Sequence, residues 1–181
     1  LAGIEGFLAL LKRDVKEQPN LTTLVEKITQ GTRHLTQIVS ELLTFTRPLH
    51  PEFEIIDVRN EITGVITEIV HDKQLSLLNE SESIEWSFDR MLFRQMMFNV
   101  ISNAIDAVDA EKGLITIKAL IRNTQLHIIC SDNGCGMSSE TVKSIFQPFF
   151  TQKAHGTGLG LSFVWRIVDI HNGEVAVESE Q

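Results

Sequence analysis

The chain has 181 residues, 43% of them hydrophobic, enough for one sizeable core or for a modest core with an elongated accessory element. Its net charge of -8 comes from 24 acidic and 16 basic residues scattered along the chain, which argues against a nucleic-acid surface. No apolar run reaches the ~18–20 residues needed to cross a bilayer, and no secretory pattern opens the chain, so a cytoplasmic fragment without membrane contact of its own is expected, with anchoring of a longer parent through upstream segments left open.

Leu1, Ile4, Leu8, Leu11 and Val15 recur at three- and four-residue spacing, which predicts an amphipathic helix broken at Pro19. A second stripe, Leu21, Leu24, Val25, Ile28, Leu35, Ile38, Val39, Leu42 and Phe45, predicts a longer helix stopped by Pro48 and Pro51. Two helices joined by a short turn form an antiparallel hairpin, and two narrow stripes cannot enclose a core alone. A homodimer with a four-helix bundle follows as the expectation. The pattern then changes, giving a hairpin over 1–46, a linker over 47–52 and an α/β sandwich over 53–181, an α+β chain in all.

In the second part "FEIIDV", "LSLLN" and "IEWSF" read as strands, the last two flanking the polar turn "ESES". Helices are expected over 58–71, 89–110, 138–146 (capped by Ser138 or Ser139) and 159–171. "LITIKALIR" and "QLHIICSD" are strands around a turn at Asn123 and Thr124, and "GEVAVESE" is a last strand. One sheet with helices on one face accommodates these elements.

Three stretches carry chemistry. On the helix "FRQMMFNVISNAIDAV", Asn99, Asn103 and Asp106 fall at i, i+4 and i+7 and share a face. That row is either a wetted polar face or an oxygen-donor site for Mg²⁺, which binds together with substrate phosphates. In "CSDNGCGM", Asp132 ends a strand and Gly134 and Gly136 follow: either a plain glycine turn, or a carboxylate beside close-approaching backbone, suited to a purine amino group. "HGTGLGLS" places Gly156, Gly158 and Gly160 at the start of a helix. Its spacing fits neither a dinucleotide fingerprint, whose third glycine would fall at Leu161, nor a P-loop, yet glycine backbone at a helix N-terminus suits phosphate. Cys130 and Cys135 lack CxxC spacing and read as reduced thiols.

In this order the stretches resemble the histidine-kinase branch of the GHKL ATPase superfamily. "NVISNA" is similar to its N box, "DNGCGM" to its first glycine box, "FQPFF" (Phe146, Phe149, Phe150) to its F box and "GTGLGL" to its second glycine box. The hairpin resembles the dimerisation and phosphotransfer domain of those kinases, and "LLTFTRP" with the short stretch between F box and glycines is most similar to the nitrogen-regulation type. The resemblance implies a Bergerat-type ATP-binding fold, with ATP and Mg²⁺ as cofactors. It implies Asn103 as Mg²⁺ ligand, Asn99 at the phosphates, Asp132 as acceptor from the adenine amino group, and Gly134 and Gly136 shaping the base pocket. Gly156, Thr157, Gly158, Leu159 and Gly160 would cradle the phosphates beneath a lid carrying Lys153. A response-regulator receiver domain is the implied partner.

Members that hydrolyse ATP carry a glutamate four residues before the Mg²⁺ asparagine. Here that residue is Asn99, and an amide is no general base. Phosphoryl transfer to a nucleophilic imidazole is therefore favoured over a GHKL ATPase or a serine kinase, and intact Asn103, Asp132 and the three glycines of "GTGLGL" argue against a non-catalytic nucleotide-binding module. "LAGIEGF" is similar to the sequence that directly follows the kinases' H box, which places the phosphoacceptor histidine upstream of Leu1. His34, His50, His71, His127, His155 and His171 lie in other contexts, His171 at a structural position. The last strand of the family's domain is likewise expected beyond Gln181.

Overall fold

The computed structural model describes residues 2–15, 19–70, 75–153 and 156–180, which form two compact units. The first comprises Leu1–Pro48 together with Gln152–Thr157, the second Leu49–Thr151 together with Gly158–Gln181.

In the first unit α1 (Ala2–Asp14) packs against α2 (Pro19–Thr46), which begins on a proline, where a missing N–H costs nothing. Leu8, Val25 and Thr32 are buried. The hydroxyls of Thr29, Thr32, Thr36 and Thr44 each donate to the carbonyl four residues back, so these polar side chains on α2 are satisfied within the helix. Leu21, Ile28, Leu35 and Leu42, seven residues apart, remain exposed, as do Leu24 and Val39 between them. Thr157, from the short second segment, donates through its hydroxyl to Glu41 of α2.

The second unit runs β1 (Glu54–Asp57), α3 (Val58–Ile69), β2 (Ser76–Asn79), β3 (Glu85–Phe88), α4 (Arg90–Ala107), β4 (Leu114–Arg122), β5 (Gln125–Asp132), α5 (Ser139–Ser144) and α6 (Gly160–Ile170). Asp57, Asp89 and Ser138 cap α3, α4 and α5 by accepting from the N–H groups of Asn60, Leu92 and Thr141. Helix α4 contacts both α3 and α6 and reaches β5. Along β4 the alternation puts Ile115, Ile117 and Ala119 into the core, where they join Phe93, Met97 and Ile101 of α4, Ile62 of α3 and Ile167 of α6. Asn123 and Thr124 connect β4 to β5 with φ of 48° and 65°, the positive values that a two-residue hairpin turn demands.

Two expectations do not hold. The single sheet is two: β1 pairs antiparallel with β3, while β2 pairs parallel with β4, which pairs antiparallel with β5. "LSLLN" and "IEWSF" thus belong to different sheets. "GEVAVESE" forms no strand among the described residues; Val175, Val177 and Ser179 are half-buried in alternation, but no ladder holds them, and the Ser179 hydroxyl accepts from the Met137 N–H at 2.9 Å. Residues 71, 154 and 155, with the expectations attached to His71 and His155, lie outside the described residues.

Charge ties α3 to α4. Glu61, buried, receives both Arg90 and, at 3.0 Å, Arg94, while Arg94 also reaches Glu68 and Arg90 grips Glu54 at 2.9 and 3.0 Å. The Arg90 hydrogen bond holds the Glu54 carboxyl below its usual range. His171, at the end of α6, stacks on Phe88 with centroids 3.7 Å apart, and its Nδ1 lies 2.7 Å from the Ile167 carbonyl oxygen.

Candidate functional site

The site is built from α4 outward. Its apolar residues Phe93, Met96, Met97, Ile101, Ala104 and Ile105 are buried, which leaves Asn99 and Asn103 half-buried on the remaining face and Asp106 exposed. Asn103 Nδ2 donates to the Asn99 carbonyl at 2.9 Å, fixing the orientation of its carboxamide. A Cβ placed on Gly160 would stand 3.6 Å from Asn99 Oδ1 and 3.9 Å from Asn103 Nδ2, so the first turn of α6 abuts the two asparagines. That turn has Leu159 at its N-cap and no side-chain capping bond, and its N–H groups present the positive end of the helix dipole beside two carboxamides. Leu159 itself is buried, which anchors the turn.

The carboxylate arrives from β5. Register pairs Ile115 with Asp132 and Ile117 with Cys130, and since Ile115 and Ile117 point into the core, Asp132 and Cys130 point to the helix-covered side. Cys130 is half-buried there, and Asp132 emerges into solvent at the strand end. Burial, with the Asp132 charge adding to it, pushes the Cys130 thiol up to about 11, so it stays protonated at neutral pH. Asp132 Oδ1 accepts from the Gly134 N–H at 2.9 Å, and the Cys135 N–H donates to the Ala107 carbonyl at 3.1 Å. The glycine loop is thereby docked on the end of the helix that bears Asn99 and Asn103. Gly134 is required there: a Cβ would meet the Ala107 carbonyl oxygen at 2.6 Å.

The stretches "FQPFF" and "GTGLGL" meet as backbone. The Phe149 N–H donates to the Gly158 carbonyl at 2.9 Å, tying together the two ends of the segment between them. Phe149 itself has φ of 67° and an exposed side chain, while Phe146 and Phe150 are half-buried. Gly158, at φ of 69°, lies so close that a Cβ would be 2.4 Å from the Phe149 carbonyl carbon, which excludes every other residue.

Asn99, Asn103 and Gly160 are thus adjacent, Asp132, Gly134 and Cys135 form one loop on the end of α4, and Phe149 with Gly158 closes a third junction. Gly136, at φ of 67°, continues the Asp132 loop. Lys153, Gly156 and Thr157 fall in the segment that groups with the hairpin; the Gly156 N–H donates to the Lys153 carbonyl at 3.2 Å, and Lys153 is exposed. Sequence reasoning misses two participants. The Ala107 carbonyl carries no side-chain signal. Asn133 does, since an Asn-Gly pair after a strand marks a turn whose amide bonds locally.

Comparison with known proteins gives the family and the fold. Residues 88–181 match the family described as histidine kinase-, DNA gyrase B-, and HSP90-like ATPase. The chain is 31% identical to the signal transduction histidine-protein kinase AtoS of Escherichia coli over 99% of its own length and 30% of AtoS. It is 30% identical to the sensor histidine kinase ZraS of the same species, over 100% of this chain and 40% of ZraS. The chain therefore spans well under half the length of these relatives. Among solved structures, the catalytic domain of histidine kinase ThkA superposes with a TM-score of 0.63 at 29% identity, covering 72% of this chain and 88% of that one. Full-length ShkA in complex with AMPPNP superposes with a TM-score of 0.78 at 22% identity, covering 98% of this chain and 40% of that one. On the family match and the fold, the chain belongs to the histidine kinase-, DNA gyrase B- and HSP90-like ATPases.

Proposed function

We propose that the chain is the ATP-binding core of a histidine protein kinase in a two-component system. In this reading it binds Mg-ATP and passes the γ-phosphoryl group to an imidazole nitrogen of the kinase's hairpin domain. ADP leaves, and the phosphoryl group is relayed to an aspartate of a response-regulator receiver domain. The observation that carries this reading is Asn99. It stands beside Asn103 and the α6 N-terminus as an uncharged amide, so neither water nor a serine hydroxyl would find a base there, whereas a neutral imidazole needs none.

Each group has a part. Asp132 accepts from the adenine amino group, with Gly134 and Gly136 letting the backbone approach the ring. Gly156, Thr157, Gly158, Leu159 and Gly160 offer N–H groups to the phosphates at the positive end of α6, and Lys153 adds a point charge from the lid whose stems Phe149 and Gly158 tie together. Phe146, Phe149 and Phe150 are the residues of this reading's F box, which leads into that stem. Asn103, with Asn99 beside it at the phosphates, fits Mg²⁺: a carboxamide oxygen is a hard donor, and the Nδ2 bond of Asn103 to the Asn99 carbonyl orients it. The ion would neutralise phosphate charge in the transfer. The division into hairpin over 1–46, linker over 47–52 and catalytic domain over 53–181 belongs to the same reading, as does a cytoplasmic setting; among the described residues no helix is long and apolar enough to cross a membrane. The exposed seam Leu21, Ile28, Leu35 and Leu42 supports a homodimer through the hairpin, because residues seven apart form one apolar stripe along a helix.

The test is incubation of the chain with Mg-ATP and a partner chain bearing an intact H box. Acid-labile phosphate on the partner and none on the 181-residue chain is the expected result. Steady ATP turnover with no histidine acceptor present would reverse the assignment.

A further inference from the structure

The loop that carries Asp132 is braced by a side chain that the proposed chemistry does not use. The β4–β5 ladder ends at the pair Ile115 and Asp132, and the next opposed residues are Leu114 and Asn133. There the Asn133 N–H donates to the Leu114 carbonyl at 3.2 Å. The Asn133 carboxamide adds two bonds of its own: Oδ1 accepts from the Leu114 N–H at 2.7 Å, and Nδ2 donates to the Lys112 carbonyl at 3.1 Å. A side chain thus builds one further rung after the backbone has turned away toward Gly134.

The far side of that rung is itself held. Lys112 belongs to a turn in which Asp109 Oδ1 accepts from the N–H groups of Glu111 and Lys112 at 2.9 and 3.2 Å, and the Gly113 N–H donates to the Asp109 carbonyl at 2.9 Å. The turn follows directly on α4, and the Gly113 carbonyl accepts from the Ser76 N–H of β2. Asn133 therefore references the Asp132 loop to the turn beyond α4, while the Cys135 N–H references it to Ala107 at the end of α4. Asp132 lies between the ladder on one side and these two anchors on the other. Its Oδ1 is taken by Gly134, whose direction follows from the backbone of Asn133.

We propose that Asn133 is a positioning residue that sets the direction of the Asp132 carboxylate and with it the preference for an adenine over a guanine base. The proposal rests on the reading of Asp132 as the purine contact. A carboxylate held in one direction accepts from a 6-amino group and repels the 6-oxo group of guanine; a carboxylate free to turn does both less well. Asn133 is exposed, and hydrogen bonds at an exposed strand end add little to global stability, so its effect is concentrated on the loop.

The experiment measures binding of ATP, GTP and inorganic tripolyphosphate to the 181-residue chain and its variants by calorimetry. Asn133→Ala is expected to weaken ATP about three- to tenfold and to narrow the ATP/GTP ratio by a similar factor, with tripolyphosphate unchanged. Asn133→Asp keeps the acceptor for the Leu114 N–H and is expected to recover part of the ratio. Should the alanine variant not fold, Asn133→Ser, too short to span both Leu114 and Lys112, carries the same expectation. An unchanged ATP/GTP ratio, or equal losses for ATP and tripolyphosphate, overturns the proposal. Asp132→Asn, measured alongside, separates the two readings: if it leaves ATP affinity intact, the purine contact itself is wrong; if it weakens ATP while Asn133→Ala does not, only the positioning role falls.

Discussion

The hairpin and the sheet-bearing unit solve the burial problem in opposite ways. In the second unit Phe93 is 0% exposed, and its ring meets Phe88 edge-on with centroids 5.3 Å apart. In the hairpin Phe7 is 71% exposed and Leu35 57%, while Leu8, Val25 and Thr32 are buried. Apolar periodicity alone therefore does not say where the partner surface is. In one unit it is supplied by the chain itself, and in the other the stripe outlasts what the chain can cover.

The largest expected effect makes the same substitution in both places. Phe93→Ala removes a fully buried ring and should cost about 3–5 kcal/mol, whereas Phe7→Ala should leave the second unit within about 0.5 kcal/mol. Trp86 and Trp165, the only tryptophans, both lie in the second unit, so their fluorescence during urea unfolding reports that unit alone. Equal shifts from the two variants would mean that the units are not separately stabilised.

The same contrast explains what was legible in the sequence. Helix α4 could be read as a helix over 89–110, although Asp89 proves to be its N-cap and Ala107 its end, and β4 and β5 from the strands around Asn123 and Thr124. In each case the signal and the structure that answers it lie within a few residues. The pairing of β2 with β4 across α4, rather than with the nearby β3, is a non-local choice that no local pattern encodes. "GEVAVESE" failed for a related reason: Val175 and Val177 carry the alternation of a strand, but a strand exists only when its N–H and C=O groups find a neighbour. At the site, residue types with their own chemistry were visible in order, as Asn99, Asn103, Asp132 and the glycines. The Ala107 carbonyl was not, because a backbone acceptor has no letter, and the Asn-Gly pair at Asn133 signals a turn without naming Leu114 and Lys112 as the partners of its amide.

A second, smaller effect turns on the seam of α2. Leu35→Lys places a charge in the middle of the stripe that Leu21, Ile28, Leu35 and Leu42 form. A dimer closed over that stripe would have to bury an ammonium group from each protomer against apolar surface, so self-association should weaken at least about tenfold. Sedimentation equilibrium is the measurement, and the tryptophan-reported transition should not move. Sedimentation of the unsubstituted chain as a monomer at all concentrations would remove the dimer and leave the stripe for another partner.

The smallest effect compares one carboxylate from each unit. Glu61 is buried and receives Arg90 and Arg94, whereas Glu26 meets Lys12 at 3.0 Å with both side chains more than half exposed. Glu61→Gln removes the buried carboxylate that Arg90 and Arg94 share, leaving them only Glu54 and Glu68, and should lower the stability of the second unit by about 1–2 kcal/mol. Glu26→Gln should change the hairpin by less than about 0.5 kcal/mol, because water already screens the pair and holding two long side chains together costs entropy. Thermal unfolding followed by tryptophan fluorescence for the first variant and by helical circular dichroism for the second checks both. Adding salt sharpens the contrast: the exposed Lys12 and Glu26 pair should lose what little it contributes, while the buried Glu61 carboxylate, shielded from ions by the protein around it, should keep most of its effect.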